Sequence, residues 1–131
     1  MLAADTNVVV RLLVADDLRQ QRAVVERLTA VRDAGDVVFV SEVVLAETSW
    51  VLDAFYGFTR RQIADAMDAL LTTDPFTFEA IDVARAAIEH YRRGPAELAD
   101  YLILGRALRH GADKLLTFDK KLRKHPSCAL P

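Results

Sequence analysis

Short runs of apolar residues alternate along the chain with longer stretches that have the spacing of amphipathic helices. The apolar runs predict four strands, of which the third is the weakest, over 2–5, 37–41, 75–78 and 114–118. The helical spacing predicts six helices, over 7–14, 18–34, 42–56, 60–73, 80–93 and 96–110. Strands that are apolar throughout suit a sheet covered on both faces, and strand–helix alternation suits parallel pairing. The pattern therefore predicts an α/β fold with helices packed on a parallel sheet.

Several predicted helix ends carry the residues that are common at such positions. Thr59 and Gln62 form a T-x-x-Q capping box at the start of the fourth helix. Pro95 follows Gly94, which predicts a proline at the first position of the sixth helix. Three glycines follow predicted helix ends, namely Gly35, Gly57 and Gly111.

Two of the predicted helices carry an acidic residue on an apolar stripe. Glu47 lies on the stripe of helix 42–56, which consists of Val43, Ala46, Trp50, Val51 and Ala54. Asp100 lies on the stripe of helix 96–110, which consists of Ala96, Ile103, Leu104 and Ala107. An ionised carboxylate that faces the core is unfavourable unless a cation or several hydrogen bonds compensate it. Both positions therefore call for an explanation.

Two of the predicted strands end directly on an aspartate. Asp5 follows the apolar run Leu2-Ala3-Ala4, and Asp119 follows the run 114–118. The carboxyl ends of parallel strands meet at one edge of a sheet, and Glu47 and Asp100 lie near the starts of their helices, so we expect all four acids there. Each acid also has an ordinary structural explanation. The strand-end aspartates suit helix caps or turns, Glu47 suits an ion pair with a buried arginine, and Asp100 suits the helix dipole.

Four carboxylates at one sheet edge repel one another unless a cation neutralises them. Mg²⁺ or Mn²⁺ suits a site made only of oxygen ligands, and it retains several waters. Such a site can activate water for phosphodiester hydrolysis. We expect Asp5 and Asp100 to be the principal ligands, with Glu47 and Asp119 contributing directly or through water.

Length and composition indicate a single domain over residues 1–131. The chain is 52% hydrophobic and 27% charged, which is slightly apolar and leaves room for a face buried against a partner. The sequence contains neither a membrane-spanning apolar run nor a signal peptide, and its only cysteine is Cys128, so we expect a cytoplasmic protein without a membrane partner.

Charge is unevenly distributed along the chain. Residues 1–105 hold ten arginines and seventeen acidic residues, a net charge of −7, whereas residues 106–131 hold seven basic and two acidic residues, a net charge of +5. A basic section beside an acidic site would suit a polyanion such as RNA, although a solvated tail explains the charge equally well. The candidate RNA contacts are Lys120, Lys121 and Lys124.

Four runs of sequence carry the acids in a characteristic order. They are Ala4-Asp5-Thr6-Asn7-Val8, Ser41-Glu42-Val43-Val44-Leu45-Ala46-Glu47, Leu98-Ala99-Asp100-Tyr101-Leu102-Ile103 and Leu115-Leu116-Thr117-Phe118-Asp119-Lys120. In order and spacing these runs resemble the PIN-domain ribonucleases over nearly the whole chain. Within that family the chain is most similar to the VapC toxins of bacterial toxin–antitoxin pairs. The resemblance implies a PIN-like three-layer α/β/α sandwich with a short, mostly parallel central sheet.

The resemblance also implies a role for individual residues. The catalytic and metal-binding acidic quartet would be Asp5, Glu47, Asp100 and Asp119. The polar neighbours that orient carboxylates and waters would be Thr6, Asn7 and Thr117. Glu97, one turn before Asp100, is a further acid, and we favour a helix-start role for it over membership of the site. The implied activity is that of a Mg²⁺- or Mn²⁺-dependent endoribonuclease acting on RNA, often a structured RNA such as tRNA, and the implied partner is a VapB-like antitoxin.

Two other functions compete with this interpretation. A phosphoacceptor domain of the receiver type would share the length and the α/β alternation, but it needs a pair of acids at the first strand end and an aspartate after a central strand. Here Asp5 stands alone, and Ser41 ends the second strand. The other alternative is a catalytically inactive PIN-like binding module, and the intact quartet argues against it.

The helix 42–56 has a second apolar stripe opposite Glu47, made of Leu45, Leu52 and Tyr56. This stripe could pack on helix 60–73, through Ile63, Met67, Leu70 and Leu71, or it could form a groove for a dimer mate or an antitoxin helix. We expect a homodimer whose antitoxin inserts a basic side chain, such as arginine, among the acids. The three histidines are scattered and lack zinc-ligand spacing, and they are His90, His110 and His125.

Overall fold

The computed structural model describes all 131 residues, and the chain forms two compact units, 1–79 and 80–131. The elements of the first unit are β1 (Leu2–Ala3), α1 (Thr6–Leu13), α2 (Leu18–Asp33), β2 (Val38–Val40), α3 (Glu42–Ala54), α4 (Arg60–Leu71) and β3 (Phe76–Phe78). Its strands form one sheet in the order β1-β2-β3. Both pairs are parallel, with Leu2 opposite Val38 and Val38 opposite Phe76.

The second unit is mainly helical. Its elements are α5 (Ile81–Arg93), α6 (Leu98–Arg109), β4 (Leu115–Leu116), a 3₁₀ turn (Leu122–Lys124) and β5 (Cys128–Ala129). The strands β4 and β5 pair in parallel as a separate two-stranded sheet, with Leu115 opposite Cys128. The expectation that the strand before Asp119 belongs to the same sheet as β1 is therefore wrong, because β4 takes β5 as its partner. Six helices and short parallel strands confirm the predicted α/β class. The 3₁₀ turn and β5 were not predicted, because they are only three and two residues long and have no periodic pattern.

Most of the predicted helix ends are confirmed. At the start of α4 the Gln62 amide donates to Thr59 Oγ1 over 3.2 Å, and the Thr59 amide donates to Gln62 Oε1 over 2.9 Å, which completes the capping box. The three predicted glycines follow their helices with positive φ angles. The prediction for Pro95 is wrong. Gly94 ends α5 and α6 begins only at Leu98, so the proline lies in the connection.

The core of the first unit contains the side of α3 that faces α4. Leu45 and Leu52 are 1% and 0% exposed, and they share the core with α4 residues that include Ile63, Met67 and Leu70. Ordinary helix packing therefore accounts for the stripe of Leu45 and Leu52. The alternative that Leu45, Leu52 and Tyr56 form a groove for a dimer mate or antitoxin is wrong.

The stripe of α3 that was expected to face the core instead faces outward. Val43 is 66% exposed and Trp50 is 60% exposed, and Glu47 between them is also exposed. The helix is apolar on both sides, so periodicity alone does not select the buried one. The core side includes Ser49, whose hydroxyl donates to the Ala46 carbonyl over 2.7 Å and so needs no partner outside the helix.

The face of α6 also differs from the sequence expectation. Leu98, Tyr101, Leu102 and Leu104 are buried, whereas Ile103, which was placed in the core, is 57% exposed. The close packing of α6 on α5 sets this orientation. A Cβ atom at Gly105 would lie 3.0 Å from Val83 Cγ1, which is tight contact, and Asp100 is left only partly buried in the first turn. None of the helices has the length and apolar character needed to cross a membrane.

Adjacent substitutions on α6 test this orientation. Leu102 is 5% exposed, so Leu102→Ala should lower the free energy of unfolding by about 2 to 5 kcal/mol, because it removes buried contacts and leaves a cavity. Ile103→Ala, on the exposed side, should change that free energy by less than about 0.5 kcal/mol. Urea denaturation of the two variants measures both values. A larger loss for Ile103→Ala than for Leu102→Ala would contradict the orientation.

Candidate active site

Asp5 lies at the junction of β1 and α1, where it is the N-cap of the helix. Its backbone is extended, with φ −89° and ψ 178°, and its Oδ1 accepts a hydrogen bond from the Val8 amide over 3.0 Å. The residue is exposed, and its Oδ2 has no hydrogen bond. The cap therefore fixes the direction of the carboxylate and leaves one oxygen for a ligand.

A cleft of about 340 Å³ begins at Asp5 and runs between α1 and α2, lined also by Asn7, Arg11 and Gln20. Arg11 donates to Gln20 Oε1 over 2.5 Å and forms an ion pair with Asp16 over 3.3 Å. The hydrogen bond from the Tyr56 hydroxyl, and after it the charge of Arg11, lowers the pKa of Asp16. The arginine nearest to Asp5 in sequence is thus already engaged in a polar network.

Glu47 lies about one and a half turns into α3, the helix that follows β2. Ser41 caps α3 by accepting the Val44 amide at Oγ over 3.3 Å, so the helix starts directly at the end of the strand. The helices α1 and α3 pack on each other. Within the first unit, Asp5 therefore lies at the start of one helix and Glu47 lies in the early part of a helix that packs on it.

Asp100 lies in the first turn of α6 and closes the start of that helix. Its Oδ2 accepts the Glu97 amide over 3.1 Å, and its Oδ1 has no hydrogen bond. Glu97 itself occupies the N-cap position, with φ −81° and ψ 159°. The preferred helix-start interpretation of Glu97 is therefore consistent with its position.

Asp119 follows β4 and accepts hydrogen bonds from the amides at the start of the 3₁₀ turn. Its Oδ1 accepts the amides of Lys121 and Leu122 over 2.8 and 3.1 Å, and its own amide donates to Thr117 Oγ1 over 3.0 Å. Oδ2 again has no hydrogen bond. Thr117 thus orients the backbone of Asp119, and its predicted role in orienting carboxylates and waters stays a prediction.

The structure tests the metal-ligand prediction through the chemistry of these donors. Asp5, Asp100 and Asp119 each give one oxygen to backbone amides and keep the other free, and oxygen donors with room for waters suit a divalent cation. No group of three or more histidine, cysteine, aspartate or glutamate side chains is arranged to hold a metal ion. The donor chemistry fits such a cation, and the convergence of all four acids stays a prediction.

The three lysines of the basic section are exposed beside Asp119. Lys120, Lys121 and Lys124 lie in or next to the 3₁₀ turn and have no ion pair. Other basic residues of that section are engaged, since Arg109 pairs with Asp82 and Lys114 donates to the Pro126 carbonyl over 2.6 Å. These three lysines are therefore accessible, and their contact with RNA stays a prediction.

The support of Asp119 by the C-terminal strand was not predicted. The Thr117 amide donates to the Ala129 carbonyl of β5 over 2.9 Å, which connects the end of β4 to the last residues of the chain. The strand β5 is only two residues long and follows Pro126 and Ser127, so it has no periodic pattern from which the sequence could predict it.

Comparison with known proteins identifies the family. The PIN domain family model matches residues 3–127, a range that includes every candidate site residue and nearly all of both units. Comparison with curated proteins and with solved structures gives no match. The match agrees with the observed helices and short parallel sheet, and it confirms the PIN-like α/β fold. The chain therefore belongs to the PIN domain family, a nuclease fold whose members are generally hydrolases and typically depend on divalent metal ions.

Proposed function

We propose that this chain is a metal-dependent endoribonuclease of the VapC type, the toxin of a toxin–antitoxin pair. The observation that supports this most is the common arrangement of Asp5, Asp100 and Asp119. Each is anchored through one oxygen by a backbone amide, and each keeps its second oxygen free. All three lie within the PIN match, together with Glu47.

In this proposal Asp5 and Asp100 hold Mg²⁺ or Mn²⁺, and Glu47 and Asp119 contribute directly or through water. When bound, the cation supplies Lewis-acid stabilisation of the charge that develops on the scissile phosphate. The backbone caps keep the aspartates in place before substrate arrives, which reduces the reorganisation that the reaction would otherwise require. Thr6, Asn7 and Thr117 are the neighbouring polar groups that orient carboxylates and waters.

The match to the PIN family supports this function over a receiver-type phosphoacceptor domain. The second strand ends at Val40 and is followed by Ser41, which caps α3, so no aspartate occupies the place where such a domain needs one. A catalytically inactive PIN-like binding module remains as the competing proposal, and measured activity separates the two.

Cleavage of RNA should depend on the quartet. Asn accepts the same backbone amide as Asp, so Asp5→Asn and Asp100→Asn should keep the helix starts while removing the charge. We expect both variants to cleave a structured RNA, such as tRNA, about 10² to 10⁴-fold more slowly than the unaltered protein. Asp53→Asn, an exposed acid on the same helix as Glu47, is the control and should retain full activity.

The ends of the products test the proposed nucleophile. Attack of water on the scissile phosphate should give products with a 5′-phosphate and a 3′-hydroxyl. Excess chelator should stop the reaction. Cyclic 2′,3′-phosphate ends, or activity that persists in chelator, would contradict the mechanism. A protein without any cleavage of RNA in Mg²⁺ or Mn²⁺ would instead favour the inactive binding module.

RNA affinity should depend on the three exposed lysines. Replacing Lys120, Lys121 and Lys124 by Gln should flatten the plot of log affinity against log salt by about 0.7 to 0.9 for each phosphate contact that is lost. The matched control removes three exposed arginines of α2, by replacing Arg19, Arg22 and Arg27 with Gln. An equal change in both variants would mean that net charge, rather than this patch, determines affinity.

We also propose that the protein forms a homodimer through the outer face of α3. This outer face comprises Val43, Glu47, Trp50 and Phe55. Phe55 is 70% exposed, and its ring meets that of Trp50 edge-to-face at 5.5 Å. Large apolar side chains grouped on one exposed helix favour burial against a second copy about a two-fold axis. A VapB-like antitoxin would place a basic side chain, such as arginine, against the acids.

Light scattering tests the proposed dimer, and an RNA cleavage assay tests the proposed antitoxin contact. The unaltered protein should have the mass of a dimer, and Trp50→Glu should be monomeric because it would bury a charge in the interface. Val25→Glu, at an exposed apolar position of α2, should remain dimeric. A monomeric mass for the unaltered protein at high concentration would remove the dimer. If RNA cleavage is undiminished in the complex with the small antitoxin encoded by the neighbouring gene, the proposed inhibitory contact is wrong.

A further inference from the structure

A closed series, made of hydrogen bonds and of the short backbone segments between them, connects Asp119 to the C-terminal residues of the second unit. Asp119 Oδ1 accepts the Leu122 amide, and the Leu122 carbonyl accepts the His125 amide over 3.0 Å. His125 Nδ1 accepts the Ser127 amide over 3.1 Å. The series returns through β5, where the Ala129 carbonyl accepts the Thr117 amide, and Thr117 Oγ1 accepts the amide of Asp119.

His125 is the only member of this series, apart from Asp119, that contributes a titratable side chain. Its backbone amide and carbonyl bond to Leu122 and Cys128, and its ring bonds to Ser127. Nδ1 accepts a hydrogen bond, so it carries no proton, and in a neutral ring the proton is on Nε2. Protonation of His125 would place a proton on Nδ1, opposite the Ser127 N–H, and would break that bond.

The surroundings of His125 keep its ring neutral. The ring of His90, on α5, lies 4.9 Å away, and both rings line a cavity of about 240 Å³. The other ionisable side chains of that cavity are Asp82, Tyr101 and Arg109, of which Asp82 and Arg109 neutralise each other as an ion pair. Three further cations lie on the segment that contains His125 or beside it, namely Lys114, Arg123 and Lys124. Burial, and after it the charge of His90, lowers the pKa of His125 below its ordinary value of 6.5.

The two imidazoles do not form a metal site. The prediction that the three histidines are scattered is wrong for His90 and His125, whose rings are 4.9 Å apart. A metal-bound histidine normally donates an N–H from its other ring nitrogen, whereas His125 accepts at Nδ1 and therefore holds its proton at Nε2.

We propose that neutral His125 is a positioning residue for Asp119, because its Nδ1 holds the Ser127 amide and thereby keeps β5 in register with β4. This inference rests on the proposed function only where activity is measured. Loss of the bond to Ser127 would loosen β5, remove the partner of the Thr117 amide, and free the backbone that orients Asp119.

The pH dependence follows from the direction of the pKa. A histidine with a lowered pKa in the folded state binds its proton more weakly there than in the unfolded chain. Its contribution to stability is therefore complete above pH 6.5, the ordinary value, and is lost as the pH falls below that value toward the folded pKa. The closed series should open as the pH falls through the lowered pKa that His125 has in the folded state.

The test compares His125→Asn with the unaltered protein and with His110→Asn. The Oδ1 of Asn occupies the place of Nδ1 and accepts an amide, but it does not titrate in this range, whereas His110 is an exposed histidine outside the series. NMR follows the amides of Ser127, Thr117 and Asp119 from pH 7.5 to pH 5. In the unaltered protein and in His110→Asn all three signals should shift with one midpoint below 6.5, and in His125→Asn that transition should be absent.

Activity provides the second measurement. The ratio of kcat/KM of the unaltered protein to that of His125→Asn should be near one at pH 7.5 and should fall about ten-fold for each pH unit below the pKa of His125. If Ser127 titrates while Thr117 and Asp119 do not, or if His125→Asn keeps the same midpoint, the proposal is overturned. The amide signals require no catalysis, so an inactive protein with the expected NMR transition would contradict the proposed function alone.

Discussion

The bond between an aspartate side chain and a backbone amide is the interaction on which the candidate site depends. Asp5, Asp100 and Asp119 each satisfy an amide that a helix or turn would otherwise leave without a partner. One carboxylate oxygen suffices for this, so the same residue can stabilise a local structure and present its other oxygen to a ligand. The structural and catalytic explanations of these residues are therefore compatible.

The caps also explain why substitution by Asn is more informative than substitution by Ala at these positions. Ala would remove the acceptor and cost about 1 kcal/mol of stability, so that lost activity could reflect a lost helix start. Asn keeps the acceptor and removes only the charge. The same reasoning applies to His125, where Asn replaces a titratable acceptor with one that does not titrate.

The outer face of α3 carries both an acid of the candidate site and exposed apolar side chains. Glu47 lies between Val43 and Trp50 on that face, so a protein that covers the apolar side chains would also approach the acid. Self-association, inhibition and substrate access would then compete for one surface. In the second unit, Asp119 depends on a different constraint, since its backbone is held by the last residues of the chain.

Local sequence patterns were enough to predict the α/β class, the six helices to within a few residues, the capping box at Thr59 and the PIN family. These features are local, because caps, periodicity and motif spacing act over a few residues. Which sides of α3 and α6 are buried depends instead on contacts between helices that are distant in sequence. Both helices are apolar on more than one side, and the packing of Leu52 beside α4 and of Gly105 against Val83 selects one side. The contact of His90 with His125 and the pairing of β5 with β4 likewise join residues that no local pattern relates.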